Sequence, residues 1–346
     1  MRKLLILMMI LPFVFISARG AHLETPQVPA NAQEYMPYED ETFAQGLLYI
    51  IATAIRNLQP DLATALRSGL LILSASIATS VVGGMQSSVK QTAAFVSVLI
   101  SATALLNSAH SMISIGVETI EEMNNYGKLL LPVMTTALAS QGGVTASAAL
   151  YAGTTVFATA LSAAIKKVFV PLLYIFIALS VGNRALGEDV LGSFKQFLKW
   201  LMTWVLKLIL YIFTGYITVT GVVSGSADAM TLKATKITVS GMIPVVGGII
   251  SDASEAILVG AGIMKSTAGI YGIFAFLAIC INPILKISLH CIVLKVTAAL
   301  CSMFGPKAQS GLADDFSQAM SLTLAATGSI CLLLLISTVS FMKGAS

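Results

Sequence analysis

Residues 68–89 read SGLLILSASIATSVVGGMQSSV and carry no charge. The run is about 22 residues long, the length an α-helix needs to cross the hydrocarbon core of a bilayer. Lys90 follows, and residues 91–117, QTAAFVSVLISATALLNSAHSMISIGV, are charge-free again. Two such runs around a single lysine predict two spans joined by a cytoplasmic turn, because Lys and Arg hold a loop on the cytoplasmic side. Glu118, Glu121 and Glu122 come next and predict an acidic turn on the opposite face.

The whole chain has the same character. Of its 346 residues, 56% are hydrophobic and 10% charged, and the mean hydropathy is +0.88. A soluble domain carries roughly 25% charged residues, so a water-soluble fold of this size lacks the charge to cover its surface. The net charge of +4 comes from 20 basic and 16 acidic residues with no Lys/Arg-rich block. That balance reads as membrane orientation and excludes a nucleic-acid partner. Cys280, Cys291, Cys301 and Cys331 form no CxxC pair and lie in or beside apolar stretches, as small buried hydrophobes do. His22, His110 and His290 have no ligand-like partners at helical spacing, so neither a metal site nor another cofactor is expected.

The N-terminus has the three-part pattern of a signal peptide: Arg2 and Lys3, an apolar run from Leu4 to Ser17, and small residues at Ala18 and Gly20. The apolar run is short of the roughly 20 residues that a span requires. Residues 1–20 are therefore expected to be a signal peptide, with an uncleaved signal anchor as the alternative. Residues 21–42 contain Glu24, Glu34, Glu39, Asp40 and Glu41, no Lys or Arg, and prolines at 26, 29 and 37. This predicts a flexible, acidic, extracytoplasmic tail. In residues 43–67, Leu47, Leu48, Ile51, Ala54, Ile55 and Leu58 recur at helical spacing opposite Arg56, Asp61 and Arg67, which predicts an amphipathic helix on the outer face or against a partner.

Residues 68–346 form the multi-span body, with about six to eight crossings expected from the span lengths. Leu129 to Ile165 is charge-free over about 37 residues, too long for one span and short for two with a proper loop. Gln141, Gly142 and Gly143 stand near its middle, and Lys166 and Lys167 close it. The charge rule favours a broken or re-entrant segment with one net crossing there. Phe194, Phe197, Leu198, Leu201, Trp204 and Val205 oppose Lys195 and Lys199, as in a helix at the lipid headgroup level that runs into the next span, Leu208 to Ala227. Further runs follow at Ser266 to Leu285, around Ile287 to Phe304, and at Phe316 to Met342, with Asp314 and Asp315 read as a hydrophilic link. The fold class is thus all-α: a polytopic membrane helical bundle with broken or re-entrant and interfacial amphipathic helices.

The chain shows no Walker sequence, no HExxH and no GxSxG with a following acid and histidine, so no enzymatic activity is expected. Gly221 and Gly225 make a GxxxG spacing inside a predicted span, suited to close helix contact within this chain or with another. The stretch Gly241 to Ala256, GMIPVVGGIISDASEA, is richer. Pro244 removes an amide donor, Gly247 and Gly248 loosen the backbone, and Asp252 and Glu255 fall on one helical face. Carboxylates in such surroundings face a wet cavity, a cation or an interface, unless the stretch is a simple polar turn.

The longer segment SGMIPVVGGIISDASEAILVGAGIMK, Ser240 to Lys265, resembles the signature of the stage III sporulation protein AE family. The order of signal peptide, acidic external segment, amphipathic helix and polytopic body is similar as well. The resemblance implies a role in endospore formation, in the mother-cell membrane around the forespore. There the family belongs to a channel or feeding complex that keeps the forespore competent for late gene expression. The implied partners are other stage III sporulation membrane proteins and a cytoplasmic ATPase, besides membrane lipid. Two other readings remain: a stand-alone permease with a broken-helix site at residues 244–255, and a structural membrane scaffold.

Overall fold

The computed structural model describes residues 25–38, 42–82, 87–140, 144–186, 191–223, 267–304 and 306–343, and it is all-α, with no strand among them. A short turn of helix, α1 (Ala30–Gln33), lies in the N-terminal segment, and α2 (Phe43–Arg56) follows. The start of α2 is fixed by Gln45, whose Oε1 accepts from the Thr42 amide at 3.0 Å and the Thr42 hydroxyl at 2.7 Å, so groups that the helix leaves without partners are satisfied locally. The stretch expected as one amphipathic helix divides at Asn57 and Leu58. A new helix, α3 (Gln59–Val82), opens with Pro60 and Asp61 in its first turn. There a missing amide hydrogen costs nothing and a carboxylate meets the positive end of the helix.

The helix α4 (Ser87–Ser140) runs without interruption through Glu118, Glu121 and Glu122. No turn forms at these residues. Glutamate is a good helix former, and two of the three have partners on other segments: Glu121 pairs with Lys166, and Glu122 accepts from Asn31 at 2.8 and 2.9 Å. At 1.5 Å per residue α4 is about 80 Å long, whereas a bilayer with its headgroups spans about 45 Å. One bilayer cannot cover it from end to end.

Gln141, Gly142 and Gly143, where a break was expected, lie outside the described residues; α4 ends at Ser140 before them and α5 (Val144–Ala164) begins after them. Lys166 and Lys167 do not end this helix. They sit in a π-helical turn, Ile165–Phe169, where the Val170 amide donates to the Ile165 carbonyl, and α6 (Val170–Leu186) continues from it. Pro171 supplies the cause, since it has no amide to offer the Lys167 carbonyl and the backbone widens just before it. The α5–α6 pair folds back along α4, as the Glu121–Lys166 pair and the 2.7 Å contact between His110 Nδ1 and the Tyr174 hydroxyl show.

The remaining helices are α7 (Gly192–Val223), α8 (Thr267–Phe304) and α9 (Lys307–Lys343). The two runs expected to flank Leu285 form the single helix α8, with Pro283 inside it. Asp314 and Asp315 lie within α9, not in a link. The helices α8 and α9 pack antiparallel: Cys280 Sγ lies 3.0 Å from Cys331 Sγ, Ser317 donates to the Cys291 carbonyl at 3.0 Å, and Ser310 to the Ala298 carbonyl at 3.0 Å. Around α9 stand also α4, through Gly116 beside Thr323 and Thr327, α5, through Thr154 and Ser337, and α6 and α7, through Arg184 and Lys195 on Asp315. In consequence 83% of the apolar window of α9 is buried, against 28–50% in the other five long apolar helices.

Among the described residues, six helices are long and apolar enough to cross a membrane, with α5 and α6 counted as one continuous helix. Their outward faces carry Leu70, Ile100, Val156, Ile212 and Ile292, all more than half exposed. The tail expected to be flexible is packed in its described part: Val28, Ala32 and Tyr35 are buried, and the Pro26 carbonyl accepts from the Tyr126 hydroxyl at 3.2 Å.

Close approach between helices is tightest at Gly153, where an added Cβ would fall 2.0 Å from the Tyr216 ring. That ring is held by the Tyr216 hydroxyl donating to the Ala149 carbonyl at 2.7 Å. Gly153→Ala is expected to destabilise the protein by about 1–3 kcal/mol through overpacking. Gly215→Ala, with nothing within 4 Å, should leave stability unchanged or raise it slightly. Thermal unfolding of both variants in detergent checks the pair.

Candidate functional site

Charged side chains inside a membrane bundle are costly unless they are paired or reach water, so their placement marks where the interior is specialised. The densest set lies where α6 ends and α7 and α9 begin. Asp315, 2% exposed, accepts from Arg184 Nε at 3.0 Å and from Lys195 Nζ at 2.7 Å. The adjacent Asp314 pairs with Lys295 of α8 and accepts from Gln318 Nε2 at 2.8 Å. Gln318 Oε1 in turn accepts from Lys199 at 2.9 Å. Two adjacent carboxylates thus join four helices through three cations directly and a fourth, Lys199, by way of Gln318, an excess of positive charge at this end.

Local sequence explains the arrangement. Asp314 and Asp315 are neighbours, so they point about 100° apart around α9, one toward α8 and the other toward α6 and α7. Lys195 and Lys199 are four apart and share one face of α7. The opposite face of α7 carries Phe194, Phe197, Trp200 and Trp204, all exposed, with successive ring centroids 6.4, 5.9 and 6.2 Å apart. This is the division of aromatics from lysines expected for α7. Arg184 reaches Asp315 by crossing α9 at Gly311, where a Cβ would lie 2.4 Å from the guanidinium carbon.

A second polar level crosses the long helices near their middles. It contains the Glu121–Lys166 pair, the Asn31–Glu122 bonds, and Lys286 Nζ at 3.3 Å from Asp61 Oδ2. Both side chains of the Glu121–Lys166 pair are more than 40% exposed, and a charge facing lipid at a bilayer centre costs about 2.5–3.5 kcal/mol. This level therefore belongs at a membrane surface.

The residues singled out from the sequence fall elsewhere. Pro244, Gly247, Gly248, Asp252, Glu255 and Gly225 lie outside the described residues, and Gly221 stands in the last turn of α7. The ion-pair network was not among the sequence expectations. Its visible signal was the Asp314–Asp315 doublet next to a long apolar run.

A family model described as stage III sporulation protein AE matches residues 45–345. The chain belongs to that family. A curated relative, the stage III sporulation protein AE of Bacillus subtilis (strain 168), is 25% identical over 252 residues. The alignment covers 73% of this chain and 63% of that protein, so the chain spans less than two thirds of the relative's length. No solved structure matches. The matched region takes in the six long apolar helices of the described residues and every charged residue of both levels, so this is a multi-pass membrane member of a sporulation family.

Asp315→Asn keeps the side-chain shape but leaves Arg184 and Lys195 without their carboxylate. Loss of one partner from a buried pair costs about 3–5 kcal/mol. With Arg184 side chain 30% exposed, the lower end is expected. Glu121→Gln, in a half-exposed pair, should cost less than about 1 kcal/mol. Unfolding curves in detergent that rank the two variants in the other order would contradict the assignment of the network.

Proposed function

We propose that this chain is a membrane subunit of the channel, or feeding, complex between mother cell and forespore, and that it supports late forespore gene expression during endospore formation. The observation that carries the reading is the family match over residues 45–345, which embraces the whole helical body. The partners in this reading are other stage III sporulation membrane proteins and a cytoplasmic ATPase. The chain itself acts as a structural and conducting element without a catalytic centre of its own.

Charge supports an orientation within the same reading. Arg184, Lys195, Lys199, Lys295 and Lys307 gather toward the end where α9 begins, and the N-terminal segment docks on Glu122 at the middle level. Positive charge favours the cytoplasm, so the α9 start faces the mother-cell cytoplasm and the N-terminal segment lies outside it.

Deletion of the gene in a spore-forming host tests the proposal. Development should arrest after engulfment, with late forespore reporters silent. Normal yields of heat-resistant spores would remove the reading.

A further inference from the structure

The seam where α3, α4 and α8 meet carries more polar groups than packing between membrane helices requires. On α8, Asn282, Lys286, His290, Val293, Thr297 and Cys301 recur every three or four residues and so share one face. That face meets α3: Lys286 pairs with Asp61, Gly69 stands against Thr297 and Val293, and the Cys301 thiol lies against Ser76. From Asn282 to Cys301 the rise is about 28 Å, close to the hydrocarbon thickness of a bilayer.

The two ends of the seam are polar, and in its middle Thr297 has its hydroxyl satisfied within its own helix by the Val293 carbonyl at 2.8 Å. At the end near the α9 start, Gln309 is fully buried and donates from Nε2 to Ser97 at 2.6 Å and to Thr79 at 3.4 Å, while its Oε1 has no partner. Ser101 Oγ, one turn beyond Ser97, is buried without a partner too. At the other end stand the Asp61–Lys286 pair, His290, whose Nδ1 lies 3.1 Å from the Lys286 carbonyl, and Asn282, with Oδ1 buried and unpartnered. By helical register, Ile72 on α3 falls between Gly69 and Ser76, and Leu105 on α4 falls midway from Ser97 to Gly116; they are 0% and 1% exposed.

Buried oxygens left without hydrogen bonds are rare and costly, and internal water is their usual partner. The Gln309 cluster offers hydroxyls and an amide, which bind water, while the Asp314 and Asp315 carboxylates at this end are held by Lys295, Arg184 and Lys195. The Asp61 end offers a carboxylate, an amine and an imidazole, groups that take up and release protons. We propose that the α3–α4–α8 seam is a hydrated path for protons through this apolar layer, closed at its middle by Ile72 and Leu105. A proton passes along hydrogen-bonded water and hydroxyls between the Gln309 cluster and His290. It leaves or enters at Asp61 and Lys286. The proposal stands on the interior of this chain and is independent of its place in a complex.

The test uses the full chain reconstituted in potassium-loaded vesicles, with valinomycin setting the membrane potential and a trapped pH dye reading proton uptake. Ile72→Ser is expected to raise uptake at least threefold over the wild-type protein. His290→Phe and, separately, Gln309→Leu should each bring the Ile72→Ser background down to the rate of protein-free vesicles. Helicity and elution profile identify variants that fold, and either of the two blocking substitutions suffices. Uptake by wild type and Ile72→Ser that both equal the protein-free rate would overturn the proposal. So would full uptake in a folded blocking variant.

Discussion

The helix α9 is buried among five others, and most of the bundle packs against it. Its apolar window is more than four-fifths buried, and α8, α4, α5, α6 and α7 all lie on it. Such a position excludes water as a partner for its polar groups. Several of its hydroxyls turn back on their own helix, Thr323 to the Ala319 carbonyl at 3.0 Å, Thr338 to Leu334 at 2.8 Å and Ser340 to Ile336 at 2.8 Å, while Ser310, Ser317 and Ser337 bond to neighbouring helices. This bonding lets a helix with many Ser and Thr residues stay dry. The same requirement, that every backbone group be satisfied within its own segment, accounts for the all-helical fold in oil.

Where α9 carries real charge, other helices come to neutralise it. Asp315 draws Arg184 and Lys195 from α6 and α7, and Asp314 draws Lys295 from α8. Such pairs add little stability against apolar replacements, yet breaking one strands a buried charge. Their effect is to fix which faces of four helices meet at one end of the bundle. The middle charged level acts on lengths. It divides helices that exceed a bilayer into two apolar portions, and it receives the N-terminal segment through Glu122 and Tyr126.

Much of this architecture was legible in the chain. Charge-free runs gave the membrane helices, and the lysine and aromatic faces of α7 separated as their spacing requires. The errors share one cause. Glu118–Glu122, Lys166–Lys167 and Asp314–Asp315 each suggest the end of a helical run, because a lone charge in oil is prohibitive, yet the helices continue through all three. In the fold they are not alone. Glu121 finds Lys166 across the α4–α5 hairpin, and Asp315 finds Arg184 more than a hundred residues away. Pairing between distant segments leaves no local trace, so continuous helices resembled several shorter ones. The signature at Ser240–Lys265 led to the family by resemblance, and its residues lie outside those described.

All of this requires that the outward faces of the helices be solvated by lipid. The chain has two tryptophans, Trp200 and Trp204, both on the exposed aromatic face of α7 at 57% and 47% exposure. Their fluorescence in the reconstituted wild-type protein therefore reports directly on what bathes that face. Blue-shifted emission, strong quenching by phospholipids brominated on their acyl chains and weak quenching by acrylamide are the predicted result. Red-shifted emission that acrylamide quenches and brominated lipid does not would contradict the account.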